Sequence, residues 1–337
     1  MTSVKSRILV TGAGGFIGHH LVRFLKERGF WVRGVDLKHP EFCSTSADEF
    51  DLLDLRKWDN CFKATCDVDA VYALAADMGG MGYISSNHAR ILHNNALINL
   101  NTLEAARLHG VKRYLYTSSA CVYPEYRQLS TDVTPLKESA AYPADPQDAY
   151  GWEKLITERL CTYYSHDYGI ETRIVRFHNI FGPFGTWDGG REKAPAALCR
   201  KIAIAKLSGN PEVEMWGDGE QTRSFCYIDD CILGMYKLMN SCFSGPLNLG
   251  QDRMVSINQL TDMIAEIAGA SICKIHVAGP QGVRGRNSDN TLLRDVLGWT
   301  PQVSLEDGLS KTYAWIEDQV RARRPQHEAE CVAGVAK

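Results

Sequence analysis

Ser119, Tyr150 and Lys154 are residue types that together can oxidise an alcohol, and Cys121 stands two positions after the serine in YLYTSSACVYP. Tyr150 and Lys154 are four apart in YGWEK, at the start of a predicted helix, so both side chains project from one face. A phenol titrates at about pH 10, and a neighbouring ammonium favours its ionised form. Tyr150 could then take a hydroxyl proton while hydride leaves the carbon, with Ser119 holding the same oxygen. YxxxK alone is common in helices; after a strand ending TSSA it is a constellation. A thiol, with a pKa of about 8.5 that falls beside a cation, adds a further acid/base group. That addition suggests a proton moved on and off carbon next to a transient ketone. The competing reading of Cys121 is a small buried hydrophobe, and its place beside Ser119 favours the chemical one.

These side chains need a sheet to hold them. Short apolar, β-branched runs at 8–11, 31–35, 50–53, 70–74, 114–117 and 173–177 read as strands, and longer amphipathic segments at 19–28, 87–109 and 150–168 read as helices. The alternation predicts an α/β fold, a doubly wound parallel sheet with helices on both faces. GAGGFIG follows the first strand and opens a helix, with Gly12, Gly15 and Gly18 at GxxGxxG spacing and Phe16 and Ile17 between the last two. Such a turn brings a pyrophosphate to the free N–H groups of a helix start. Asp36 ends the second strand, where a carboxylate can accept from adenosine ribose hydroxyls, favouring NAD over NADP; an acidic strand end without a ligand is the alternative. Asp54, after the third strand, either reaches the adenine edge or serves as a turn or cap. Ala75, at the end of the fourth strand, is small enough for a nicotinamide ribose to lie on it.

With 337 residues, one large and one smaller domain are expected, and 45% apolar content is ample for buried cores. The predicted division places the NAD-binding domain at 1–178, with 225–245 returning to it. The smaller, interleaved α/β substrate domain takes 179–224 and 246–320, and 321–337 forms a flexible tail. A net charge of −3 offers no global attraction to nucleic acid or anionic lipid. Eleven cysteines show no CxxC pair and no metal-type grouping with histidine, so reduced thiols and no metal are expected. MTSVKSRILVTG lacks a signal-peptide pattern and no run of 18 apolar residues occurs, which predicts a cytoplasmic protein away from membranes.

The runs LAADMGGMG, SSACVYP, PQDAYGWEK, RFHNIFGPFGTWDGGREKAPAA, MWGDGEQTRSF and GVRGRNSDN extend the argument. On them the chain resembles the extended short-chain dehydrogenase family of nucleotide-sugar epimerases and dehydratases, over nearly its full length. Within that family it resembles the branch that acts on GDP-mannose at C3 and C5. The resemblance implies a Rossmann domain and a bound, recycled NAD that oxidises C4, which makes the hydrogens at C3 and C5 acidic. It implies an acid/base pair of cysteine and lysine, whose places fall on Cys121 and Lys193. Lys193 by itself would read as a solvated surface charge. Reduction at C4 then gives GDP-L-galactose, or GDP-L-gulose after inversion at C5 alone.

The same resemblance assigns substrate contacts to Gly79, Ser119, Ala120, Cys121, Asn179, Glu192, Lys193, Ala194, Lys201, Gln221, Thr222, Arg223 and Arg286. Arginines suit the two phosphates because they clamp them bidentately. Glycine at 79 lets a sugar approach the backbone. A homodimer through the two long helices is the implied assembly. A sugar 4-epimerase would need neither Cys121 nor Lys193; a 4,6-dehydratase would carry Asp and Glu where Ala120 and Cys121 stand; a noncatalytic NAD-sensing scaffold would tend to lose Tyr150 and Lys154.

Overall fold

The computed structural model describes residues 6–334, with side-chain surroundings through 323. The centre of the first strand is apolar: in β1 (Arg7–Thr11) Ile8, Leu9 and Val10 are buried, as a strand covered on both faces requires. The chain continues through α1 (Phe16–Glu27), β2 (Trp31–Asp36), β3 (Glu49–Leu52), α2 (Trp58–Thr65) and β4 (Ala70–Ala73). A one-turn α3 (Met81–Ile84), the long α4 (His88–Leu108), β5 (Arg113–Ser119), α5 (Ala149–Tyr168) and β6 (Glu171–Phe177) follow. Beyond lie β7 (Ile180–Phe181), α6 (Ala194–Ser208), β8 (Glu212–Trp216), β9 (Thr222–Ser224), β10 (Cys226–Tyr227) and α7 (Ile228–Met239). The rest comprises β11 (Pro246–Leu249), β12 (Met254–Ser256), α8 (Ile257–Ala268), β13 (Cys273–Val277), β14 (Gly285–Arg286), α9 (Thr291–Leu297) and α10 (Leu305–Gly334).

Seven strands form one parallel sheet in the order β11-β6-β5-β4-β1-β2-β3, the Rossmann arrangement extended by one strand. The order reverses at β1: the chain winds outward through β2 and β3, then crosses back to β4. A crevice opens where β1 and β4 part, beyond their C-terminal ends. Thr11 props it, its hydroxyl accepting both the Leu74 and Ala75 N–H groups at 3.1 Å.

The returning segment extends beyond the expected limit of 245, because β11 pairs with β6 from Pro246 to Leu249 and α7 packs on α1. Leu247 and Leu249 are buried, so ending the return at α7 would leave that sheet edge uncovered. The smaller part is built from α6, α8 and α10 packed together, with the pair β8/β13 and the sheet β12-β9-β14. The segment from Arg321, expected as a flexible tail, has helical backbone in α10 as far as Gly334, where Arg321 pairs with Glu317 and Arg323 with Asp188. Residues 1–5 and 335–337, including the start of the segment read for a signal peptide, lie outside the described residues. Among the described residues no helix is long and apolar enough to cross a membrane.

Candidate active site

One cleft of about 1210 Å³ runs along the C-terminal ends of the main sheet and under the smaller part. At one end, α1 starts at Phe16 with Gly15 as a cap that has no side chain, so its first N–H groups remain free for an anion. A Cβ at Gly18 would strike the Gly12 carbonyl, so this turn closes only with glycine there. Asp36 lines the cleft with its carboxylate fixed by three backbone donors, Gly14 N–H at 2.9 Å, Leu37 N–H at 2.6 Å and Lys38 N–H at 3.4 Å. Gly14 thus does work the GxxGxxG spacing did not assign to it. Uncapped helix start, bare turn and tethered carboxylate together fit a dinucleotide. Gly12, Gly15, Phe16, Ile17, Gly18 and Ala75 all line this end.

Asp54 also lines it, but its carboxylate is clamped by Arg56, with Nη2 at 2.8 Å and Nε at 2.9 Å. This holds Asp54 below the usual carboxylate range and directs both its oxygens to protein donors. An Asp36→Asn protein is expected to bind NAD about 10-fold to 100-fold more weakly, the loss of charge-assisted bonds to ribose hydroxyls. Calorimetry on protein stripped of cofactor measures it.

Midway along the cleft the catalytic candidates meet. The Asp148 carboxylate caps α5 by accepting Gly151 N–H at 2.8 Å, which starts the helix where Tyr150 and Lys154 can face β5. Ser119 ends β5; its hydroxyl accepts Cys121 N–H at 3.2 Å and its side chain favours the Tyr150 phenolate by a hydrogen bond. Tyr150 is buried, and burial pushes it well above 10, with Cys121, Glu153 and Asp148 adding to the rise. This departs from the expected depression by Lys154. The Lys154 ammonium lies 5.4 Å from the Tyr150 ring centroid but pairs with Glu153 at 3.5 Å, so in this state its charge is answered elsewhere.

Lys193 stands at the N-cap position of α6 without a side-chain capping bond, and by accessible surface it is exposed within the cleft even though protein atoms crowd around it. Protein surrounds it closely enough that desolvation pulls its ammonium below the ordinary lysine range, against the opposing effect of Cys121 and Cys231. Its loop is fastened to the one carrying Gly79: Gly80 N–H donates to the Arg191 carbonyl at 3.1 Å, and a Cβ at Gly80 would come within 2.7 Å of the Glu192 carbonyl oxygen. Arg286 donates to the Cys121 sulfur at 3.4 Å and to Gln128 Oε1 at 2.6 Å.

Toward the far end, Arg223 and Arg286 stand side by side in register on β9 and β14. Arg223 donates only to carbonyls, those of Thr222 at 2.7 Å and Val283 at 2.6 Å among them, and burial followed by the nearby Arg286 opposes its charge. Gln221 is buried with Oε1 unpartnered. Lys201 reaches the Glu214 carbonyl at 2.6 Å, Asn179 donates to the Ser224 carbonyl at 2.9 Å, and Glu192 pairs with Arg200 at 2.8 Å. Gly79, Ala120 and Ala194 line the cleft with them.

Thr222 does not join this group. Its hydroxyl donates to the Thr131 carbonyl at 2.6 Å on the other side of β9, because neighbours along a strand point to opposite faces. Also unforeseen were Glu153, which pairs with its neighbour Lys154, and Asn95 and Asn99, brought onto the Glu153 carboxylate by the packing of α4 on α5.

A parallel sheet with a dinucleotide turn at its switch point and a Ser, Tyr, Lys set beside it defines an NAD-linked enzyme of the short-chain dehydrogenase type. Residues 8–250 match the NAD dependent epimerase/dehydratase family, and the chain belongs to it. It is 54% identical over 326 residues to GDP-mannose 3,5-epimerase 1 of Oryza sativa subsp. indica, covering 96% of this chain and 85% of that one. It is 51% identical over 337 residues to GDP-mannose 3,5-epimerase of Arabidopsis thaliana, covering 99% and 88%. Among solved structures it resembles UDP-glucuronic acid 4-epimerase from Bacillus cereus in complex with UDP-glucuronic acid and NAD, with a TM-score of 0.79, 29% identity, and 93% and 99% of the two chains covered.

Proposed function

We propose that this chain is a GDP-mannose 3,5-epimerase, an isomerase that converts GDP-α-D-mannose to GDP-L-galactose and, by inversion at C5 alone, to GDP-L-gulose. The observation that carries the reading is Cys121 and Lys193 lining one cleft with Tyr150 and Ser119, in a chain more than half identical to enzymes of that name. NAD, which Gly12, Gly15, Gly18 and Asp36 would hold at the start of α1, would supply the hydride acceptor and donor for C4. Tyr150 takes the C4 hydroxyl proton and gives it back, and Ser119 holds that oxygen.

The C4 ketone acidifies the C3 and C5 hydrogens; of Cys121 and Lys193, one removes the proton from one face of the ring and the other delivers a proton, exchangeable with solvent, to the opposite face. Desolvation of Lys193 suits it to this task, since its neutral form becomes reachable nearer neutral pH. Arg223 and Arg286 take the diphosphate, with Asn179, Gln221 and Lys201 around the nucleotide. Exposed Leu92 and Leu100 on α4, and Trp152, Ile156 and Tyr163 on α5, form an apolar face suited to a second copy of the chain, giving a homodimer. The protein works in the cytoplasm.

Incubation with GDP-mannose in D₂O is expected to place deuterium at C5 and C3 of the products, read by NMR or mass spectrometry. Turnover at C4 without carbon-bound deuterium would mean a simple 4-epimerase. No turnover by NAD-loaded protein would mean a scaffold.

A further inference from the structure

Lys154 is an ammonium with 2% of its side chain exposed, and a buried charge is tolerated only with a partner. Its partner is the residue immediately before it on α5. Glu153 has 1% of its side chain exposed, and its Oε1 lies 3.5 Å from the Lys154 Nζ. The carboxylate is held on both oxygens by amides of the facing helix: Asn95 donates to Oε1 at 2.9 Å and Asn99 to Oε2 at 3.1 Å. Asn95 in turn brackets Asp77, its Oδ1 accepting Asp77 N–H at 2.6 Å and its amide donating to the Asp77 carbonyl at 3.2 Å. Asp77 begins the loop through Gly79 and Gly80, and its side chain accepts from the Tyr83 hydroxyl at 2.7 Å and from Asn94 at 2.8 Å.

We propose that Glu153 is a positioning residue of the reaction: the buried countercharge that fixes the Lys154 ammonium beside Tyr150 and ties it, through Asn95, to the loop that lines the sugar part of the cleft. This rests on the reading of Tyr150 as the group that takes and returns the C4 hydroxyl proton. A tyrosine that must do both needs an affinity for its proton that is neither lost nor excessive; on top of the rise imposed by burial and Cys121, two opposite charges close by pull it in opposite directions. Lys154 favours the phenolate and Glu153 favours the phenol.

The charged and titratable groups facing this cluster are few. β5 contributes Tyr116, whose ring centroid lies 5.0 Å from Lys154 Nζ, and beyond its end Cys121. α5 contributes Asp148 at its cap, Cys161, and Glu158, which is committed to Arg176 at 2.6 Å. α4 presents only amides to Glu153, and its Arg90 pairs with Asp77 at 3.4 Å.

The test is Glu153→Gln in NAD-loaded enzyme. The expected result is a fall in kcat of roughly 10-fold to 100-fold with KM changed less than about 2-fold. The acid limb of the kcat/KM profile moves down by about one pH unit, because the negative charge opposing the phenolate is gone. Tyrosinate absorbance, taken as the difference from Tyr150→Phe protein, shifts in the same direction without any substrate. Asn99→Ser leaves the carboxylate but weakens its hold, and moves both readouts the same way by less; it serves if Glu153→Gln fails to fold. An unmoved limb and an unmoved difference titration would reduce Glu153 to a helix-packing residue. A shifted tyrosinate titration in protein that never turns over GDP-mannose would uphold Glu153's effect on Tyr150 while overturning the proposed reaction.

Discussion

Replacing Cys121 by serine is expected to cut deuterium incorporation at C5 by about 10²-fold to 10⁴-fold, the range spanned by loss of one positioned acid/base group. Serine keeps the shape and loses the chemistry. An alcohol does not ionise in the range where a thiol does, so the position can still accept the Arg286 hydrogen bond but cannot hold or release a proton at useful rates. NAD binding should be unchanged, because Gly12, Asp36 and the start of α1 lie at the other end of the cleft. Exchange is followed by NMR in D₂O, with cofactor occupancy measured on the same sample. Exchange at the wild-type rate would return Cys121 to the class of small buried hydrophobes that Cys61, Cys161, Cys199, Cys226 and Cys231 represent.

Arg176→Met is expected to destabilise the protein by about 3–5 kcal/mol, the usual consequence of stripping one partner from a buried ion pair. The Arg176 and Glu158 side chains are 1% and 3% exposed, and they share two short bonds, Nη2 to Oε2 at 2.6 Å and Nε to Oε1 at 2.8 Å. Ser118 donates to the same carboxylate at 2.5 Å, while Arg176 also donates to the Tyr123 hydroxyl at 3.2 Å and the Glu138 carbonyl at 2.8 Å. Three other parts of the chain therefore converge on one guanidinium, and Ser118 adds a fourth to its carboxylate partner. Methionine fills much of the space and leaves Glu158 buried without its counterion. Adding Glu158→Gln should restore part of the loss, and a double-mutant cycle from urea unfolding isolates the coupling. Additive losses would mean that each side chain acts through packing alone.

The two variants differ in how visible their targets are before the fold is known. Ser119, Cys121, Tyr150 and Lys154 sit in two short runs whose local spacing implies their chemistry, and the sheet then brings those runs together. Lys193 has no such local argument; only its surrounding run marked it. Arg176, Glu158, Glu153 and Asn95 were silent because their meaning lies in contacts between α5 and its neighbours on α4, β5 and β6, and nothing in a helix sequence says which buried carboxylate will meet which donor. Thr222 marks the opposite failure. It lies between two cleft residues, and alternation along a strand should have sent it to the other face. The altered view of Tyr150 has a similar origin: an i, i+4 pair puts two side chains on one face but does not say that a third charge, adjacent in sequence, will claim the lysine.

The clasp between the Gly80 and Arg191–Glu192 backbones gives position 80 a reach that its own chemistry lacks. The two strips of chain it joins carry Gly79 on one side and Lys193 on the other, and they touch where no side chain fits. Any side chain there would push the strips apart like a shim in a hinge, moving Lys193 away from the Gly79 side of the cleft, and with it from the ring carbons of the proposed reaction. Such a protein would keep its cofactor, fold normally and still open the first step at C4. Its defect would be confined to the proton steps that follow.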